Sequence, residues 1–337
     1  MAPSEQIVSP PPTDALGKLR NLVAADMEDV KRLIIEFMQS PVALIPELAT
    51  YIVASGGKRL RPLLTLGAAR MCGYQGTDHC RLAAAVEFIH TATLLHDDVV
   101  DESDLRRGNP TANSVWGNQA SVLVGDFLFS RSFQLMVGAG SLEVLEILSD
   151  ASATIAAGEV LQLTTAGEPD TSVDAYMDVI NGKTAALFAA AAQVGAVVAG
   201  RSSKEALALK TFGTELGIAF QLVDDRLDYD ADQAKLGKSV GDDFREGKVT
   251  LPVIIAYQNG DPNEQAFWQR TIGGGEASDM DLEQAQSLLA KYDALAETSL
   301  QAMKHADNAV NAISCFPDSI YRQALADVAH FSVARSF

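Results

Sequence analysis

Two stretches decide how this chain folds: Leu94-Leu95-His96-Asp97-Asp98-Val99-Val100-Asp101-Glu102 and Phe220-Gln221-Leu222-Val223-Asp224-Asp225-Arg226-Leu227-Asp228. Each ends an apolar run in an Asp-Asp pair with a further Asp at D-D-x-x-D spacing. On a helix, Asp97 and Asp101 lie four residues apart and share a face, as do Asp224 and Asp228. Like charges at that spacing cost roughly 0.2–0.5 kcal/mol per pair, and carboxylates near a helix C-terminus meet the unfavourable end of the dipole. A sequence that accepts both costs twice implies a cation that offsets them. Hard oxygen donors, with no neighbouring cysteine and His96 as the only adjacent imidazole, favour magnesium over zinc. Magnesium completes its shell with water and phosphate oxygens, so the pattern implies a phosphorylated substrate. The stretch Asp228-Tyr229-Asp230-Ala231-Asp232 starts like a calcium loop but has Gln233 where glycine is required and Ser239 where glutamate is required.

Working outward, apolar residues recur at three- and four-residue spacing almost everywhere after Leu16, and alternating runs are scarce. Val173 to Ile180, Ser203 to Phe212 and Asp281 to Ala302 all carry helical periods. Breaks fall at Ser55-Gly56-Gly57, Gly73 to Thr77, Arg107-Gly108-Asn109-Pro110, Gly138-Ala139-Gly140, Gly167-Glu168-Pro169 and Asn259-Gly260-Asp261-Pro262. No fixed-period repeat and no dividing linker is present. The pattern predicts a disordered tail over 1–15, polar and proline-rich, and a single all-α domain of many helices over 16–337. The longest apolar run, Ala185 to Gly200, falls short of the roughly 20 residues that cross a bilayer, so no transmembrane segment is expected and that run reads as a buried helix.

Across 337 residues, 47% hydrophobic content excludes disorder over most of the chain. With 26 Lys and Arg against 44 Asp and Glu, the formal charge is −18. Such a surface repels nucleic acid and anionic lipid unless its cations gather in one place. They gather beside turns: Lys58, Arg59 and Arg61 after Gly56-Gly57, Arg106 and Arg107 just past the first acidic motif, Lys183-Thr184, and Lys238, Arg245 and Lys248 past the second. Helix-start N–H groups, arginine forks and lysine point charges hold phosphates. Lys204 and Lys210 read as solvated helix-end charges. Cys72, Cys80 and Cys315 form no C-x-x-C pair, which suits the reducing cytoplasm. One geometry answers both charge sets: two acidic helices face each other across magnesium-bound diphosphate, with a separate basic pocket for a second diphosphate. A diphosphate leaving group above an apolar channel points to ionisation of an allylic diphosphate.

These motifs, G-G-K-R-x-R-P, both D-D-x-x-D runs, R-R-G, K-T, F-Q and G-D-D-F-R-E-G-K, resemble those of the all-trans polyprenyl diphosphate synthases from about Gly56 to Pro252. The resemblance implies an all-α bundle around a deep cavity, in a homodimer, with three Mg²⁺ per active site. It implies that Asp97, Asp98, Asp101, Asp224, Asp225 and Asp228 ligate the metals holding the allylic diphosphate. Arg106, Lys183 and Lys238 would grip that diphosphate, and Lys58, Arg61, His90 and Arg107 would bind isopentenyl diphosphate. Lys248 would support either diphosphate, and Arg59 would be an outer contact. Phe220 and Gln221 would flank the developing cation, and Thr184 would touch the bond-forming region.

Ala92 and Thr93, one turn before Asp97, are small where short-chain relatives place aromatic floors, so the channel is expected to stay open. The stretch from Glu87 to Leu95 most resembles long-chain enzymes that make quinone side chains, with decaprenyl ahead of octaprenyl and solanesyl. Alternatives are a shorter-chain geranylgeranyl or farnesyl synthase, a terpene cyclase, and a non-catalytic partner subunit. The intact second D-D-x-x-D motif and the Lys58/Arg61 cluster weigh against the last two.

Overall fold

Helices account for nearly all the regular structure in the computed structural model, which describes residues 14–54, 57–106, 108–230 and 240–334. Asp14 caps the first helix by accepting from Gly17 N–H, so regular structure starts at Ala15; residues 1–13 of the expected tail lie outside the described residues. The N-terminal helices are α1 (Ala15–Leu22), α2 (Ala24–Phe37), α3 (Leu44–Ala54), α4 (Leu60–Met71) and α5 (Asp78–Val100). A two-residue antiparallel pair follows, β1 (Leu105–Arg106) and β2 (Asn109–Pro110), where a simple turn was expected. Then come α6 (Ala112–Trp116), α7 (Asn118–Gly138), α8 (Leu142–Thr165) and α9 (Val173–Ile180). A single π-type turn, Asn181–Ala185, leads into α10 (Ala186–Val198), and α11 runs over Ser203–Asp228. The chain closes with α12 (Asp242–Arg245), α13 (Leu251–Asn259), α14 (Pro262–Trp268), α15 (Asp279–Lys291), α16 (Ala294–Ala312) and α17 (Ile320–Val333).

The apolar run after Ala185 is the buried helix α10, whose Phe188, Ala191, Ala192, Val194 and Ala196 are fully buried. It lies against α11, and two glycines on α11 permit the close crossing. A methyl group on Gly217 would come within 2.6 Å of the Ala185 backbone, and one on Gly213 would strike the Phe188 carbonyl. These neighbours are backbone and cannot swing aside. Gly213→Ala is therefore expected to cost about 2 kcal/mol, seen as a lower thermal midpoint, and to disturb the ring pair Phe188–Phe220 one to two turns away.

Helix α11 starts with a capping box, Ser202 and Glu205 exchanging side-chain and backbone hydrogen bonds. The helical period expected over Ser203 to Phe212 continues without a break to Asp228, so the second acidic motif sits on the last turn of a 26-residue core helix. By length and composition α7 and α11 could each cross a membrane, but α11 is packed into the core and ends in the acidic motif. The period expected from Asp281 to Ala302 is instead divided between α15 and α16. The break falls at Tyr292-Asp293, where Asp293 takes a left-handed conformation (φ 52°) and hydrogen-bonded turns close the joint. Apolar spacing carries through such a kink, so periodicity alone cannot register it.

Candidate active site

Both acidic motifs reach one cavity. A compartment of about 460 Å³ is lined by Asp97 and Asp101 from α5, Asp224 and Asp225 from α11, Asp243 from α12, and Lys183, Lys248 and Arg106. A second compartment of about 510 Å³ is lined by Lys58, Arg59, Arg61, Glu87 and His90. Arg61, His90, Leu94, Arg106, Phe220 and Asp224 line both, so the two share a wall.

The six motif carboxylates divide into two kinds. Asp98 is buried and takes Arg106 in a fork, Nε at 2.9 Å and Nη2 at 2.7 Å. Asp225 is buried and accepts from the Tyr176 hydroxyl at 2.5 Å and from Gln221 Nε2 at 2.7 Å. Gln221 in turn accepts from Thr184 Oγ1 at 2.7 Å. The middle Asp of each motif is thus hydrogen-bonded to protein partners, while Asp225 still lines the acidic compartment and Asp98 the basic one. Asp97, Asp101 and Asp224 face the cavity, and Asp228 accepts from the N–H groups of Asp242 and Asp243 at the start of α12.

The electrostatics record crowded negative charge. Burial pushes the Asp97 carboxyl up to about 7, against the pull of Lys183, with Glu159 and Asp101 adding repulsion. Burial likewise raises Asp225 to about 7 and Asp228 to about 6 despite the hydrogen bonds each accepts. Asp243, half-buried, is raised well above the usual carboxylate range by desolvation and by repulsion from Asp228 and Asp225. Burial opposes the charge on Lys248, yet Asp243 and Asp101 more than offset it, and its ammonium lies 3.0 Å from Asp101 and 2.5 Å from Glu246. Carboxylate oxygens lining one cavity with no sulfur among them fit a hard divalent cation. His96 takes no part: its Nε2 is 3.2 Å from the Val122 carbonyl and 3.4 Å from Asp126, on the α7 side.

The basic residues are positioned by their own partners. Lys183 lies on the π-type turn, where α8 and the turn meet through Gly158 and Gly182, and it pairs with Glu159 at 2.9 Å. Single π turns concentrate at functional sites because they re-aim side chains. Arg61 is half-buried, its guanidinium carbon 4.4 Å from the Phe188 ring centre and its Nη1 3.0 Å from His90 Nε2. Burial lowers Arg61 to about 10, which leaves it charged at neutral pH. A guanidinium only donates, so His90 Nε2 accepts and its proton sits on Nδ1. Phe188 in turn lies 5.5 Å from Phe220, which stands on the shared wall.

Several expectations are revised. Arg59 is a wall residue of the basic compartment, 3.6 Å from Glu87, and caps α4 in a left-handed conformation (φ 46°). Thr93 lines the acidic compartment, whereas Ala92 is 1% exposed and lines neither. At 100° per residue Thr93 lies 40° from Asp97 around α5 and Ala92 about 140° from it. Arg107 and Lys238 lie outside the described residues. Sequence reasoning gave no role to Glu159, Tyr176 or Asp243. Asp243 stood inside the quoted G-D-D-F-R-E-G-K run, and Tyr176 lies two helical turns before Lys183; Glu159 had no local signal.

The family model for polyprenyl synthetase matches residues 42–289. The chain belongs to the polyprenyl synthetase family. It is 48% identical over 320 residues to octaprenyl diphosphate synthase of Escherichia coli, covering 95% of this chain and 99% of the relative. A decaprenyl diphosphate synthase structure from Rhodobacter capsulatus superposes with a TM-score of 0.92 at 53% identity, covering 94% of this chain and 98% of that one. A polyprenyl synthase from Caulobacter crescentus, complexed with calcium and isoprenyl diphosphate, gives 0.91 at 51% identity, covering 95% and 98%. The synthetase family's all-α fold is the one described above.

Proposed function

We infer that this synthetase joins isopentenyl diphosphate to an allylic diphosphate across the shared wall, repeatedly, to give a long all-trans chain. The observation that carries this reading is two charge-lined compartments, one acidic and one basic, meeting at Phe220, Arg61 and Arg106. In this reading the allylic diphosphate lies in the acidic compartment and isopentenyl diphosphate in the basic one. All six motif carboxylates, Asp97, Asp98, Asp101, Asp224, Asp225 and Asp228, would hold the cations, three Mg²⁺ by family resemblance, with Asp98 and Asp225 also orienting Arg106, Gln221 and Tyr176 around them. Bound Mg²⁺ supplies charge compensation for the departing diphosphate.

Lys183, Lys248 and Arg106 fix positive charge where the allylic C–O bond breaks and negative charge grows on the leaving oxygen. Phe220 presents a π face, and Gln221 and Thr184 a polar edge, to the allylic cation. The isopentenyl double bond attacks that cation, and the proton lost from the new chain passes to the departing diphosphate. Arg61 and Lys58 hold the second diphosphate, with His90 steering Arg61. Arg107 and Lys238 keep their expected roles in this reading, as cations for isopentenyl and allylic diphosphate.

The product is proposed as decaprenyl, with octaprenyl and solanesyl next, for a quinone side chain, made in the cytoplasm. Incubation with farnesyl diphosphate, isopentenyl diphosphate and Mg²⁺, followed by chromatography of the dephosphorylated products, tests it. All-trans C40–C50 alcohols are expected; C15–C20 alcohols would make it a short-chain enzyme, and cyclic hydrocarbons a cyclase. A homodimer is proposed on the outer faces of α7 and α8, where Leu123, Val137, Leu142 and Leu163 are 63–83% exposed. Sedimentation velocity is expected to give twice the 35.8 kDa chain mass.

A further inference from the structure

Building on the assignment of isopentenyl diphosphate to the basic compartment, we propose that Tyr51 is a positioning residue for that substrate, tying together the two walls that carry its cations. One wall is the end of α3 and the segment leading into α4, with Lys58, Arg59 and Arg61. The other is the β1–β2 pair, with Arg106 and the Pro110–Ala112 backbone.

The second wall is braced from behind on α5. Arg106 forks onto Asp98, Asn113 Nδ2 donates to the Asp98 and Ser103 carbonyls at 3.2 Å each, and Thr111 Oγ1 donates to the Ser103 carbonyl at 2.7 Å. The first wall rests on the same helix: Arg59 reaches the Val53 carbonyl and Glu87 of α5, and Arg61 reaches His90 of α5. Each wall is thus held to α5 separately, and Tyr51 adds a direct contact between the two. Its hydroxyl donates to the Pro110 carbonyl at 2.7 Å, and its ring meets Trp116 edge-on at 5.0 Å, with an interplanar angle of 76°. Tyr51 and Pro110 both line the compartment, so the tie stands at its rim and leaves the acidic compartment untouched.

Its chemistry suits that task. The ring contributes packing on Trp116 that holds α3 in place, and the hydroxyl adds one directional bond to a carbonyl that β2 has already fixed. A diphosphate gripped from two sides by cations is sensitive to the gap between them, because each Coulomb contact falls with distance and loses its hydrogen bond beyond about 3.5 Å. Loss of the tie frees the α3 side with its Lys58 and so weakens capture of the second substrate, while Arg106, which lines both compartments, stays forked on Asp98 and keeps its place for the first.

Steady-state kinetics of Tyr51→Phe with farnesyl and isopentenyl diphosphates test this. The variant keeps the ring on Trp116 and loses only the hydroxyl. KM for isopentenyl diphosphate is expected to rise about three- to tenfold, the range for one neutral hydrogen bond. KM for farnesyl diphosphate and kcat should stay within about twofold, a split that general loosening of the fold would not give. An unchanged isopentenyl KM, or both KM values rising together, overturns the proposal. Lys58→Ala run alongside separates the two layers of inference. If it raises the isopentenyl KM while Tyr51→Phe does not, only the tie is wrong; if it leaves that KM unchanged, the assignment of the compartment itself fails.

Discussion

Asp97→Ala and Asp224→Ala are each expected to lower kcat by about three orders of magnitude while leaving the metal-free protein as stable as the parent or more so. The loss of rate follows from position. Asp97 and Asp224 face each other's helices across one cavity, and without either the diphosphate meets uncompensated negative charge. The stability result follows from the same crowding. Burial holds Asp97 and Asp225 up near 7 and Asp228 near 6, so ionising them in the metal-free fold is unfavourable. A carboxyl raised in the folded state binds its proton more tightly there than in the unfolded chain. Its contribution to stability is therefore complete below about pH 4, the ordinary carboxylate value, and is lost as pH rises through 6 to 7. Thermal midpoints in EDTA should fall across that window, and millimolar Mg²⁺ should restore more stability at pH 8 than at pH 5. Asp97→Ala should flatten the fall and shrink the Mg²⁺ effect. A steep fall in midpoint for Asp97→Ala at pH 8 in EDTA would show that the carboxylate is structural.

Thr93→Phe is expected to shorten the product by several isoprene units with kcat for the first condensation kept within about tenfold. Thr93 lines the acidic compartment about one turn below Asp97 on α5, about 6 Å along the helix axis. A phenyl ring there meets the growing tail after a few additions, and the shortened chain is released. Ala92→Phe, the substitution that the sequence alone recommends for shortening the product, acts differently. Ala92 is buried outside both compartments, so a ring at that position must displace core neighbours before it reaches the tail. It is expected to lower the thermal midpoint and to shorten the product less than Thr93→Phe. Product chromatography with melting curves on both variants separates the effects. Equal shortening with no loss of stability from Ala92→Phe would place the channel between the two side chains instead.

Much of this molecule was written locally. The 3.6-residue spacing of apolar side chains fixed the all-α class, and the glycine and proline breaks lie at or close to observed helix ends. Two D-D-x-x-D runs at helix C-termini implied a cation between them, because the cost of placing like charges four residues apart can be read from spacing alone, and the structure brings residues of both runs to one cavity. What spacing could not give was the direction of each carboxylate after packing. Asp98 and Asp225 differ from Asp97 and Asp224 by one residue, but that is 100° of rotation, enough to turn them toward Arg106 and Tyr176. The same rotation put Thr93 on the cavity wall and Ala92 in the core. Glu159 beside Lys183, Asp243 beside Asp228 and Tyr51 beneath Pro110 are partners brought in from other helices and turns. Helix, charge and the chemistry those charges serve can be read along the chain, since they depend on neighbours within a turn or two. Which side chains touch emerges on packing, because contact between distant segments depends on how whole helices rotate and cross, as α10 and α11 do at Gly213 and Gly217.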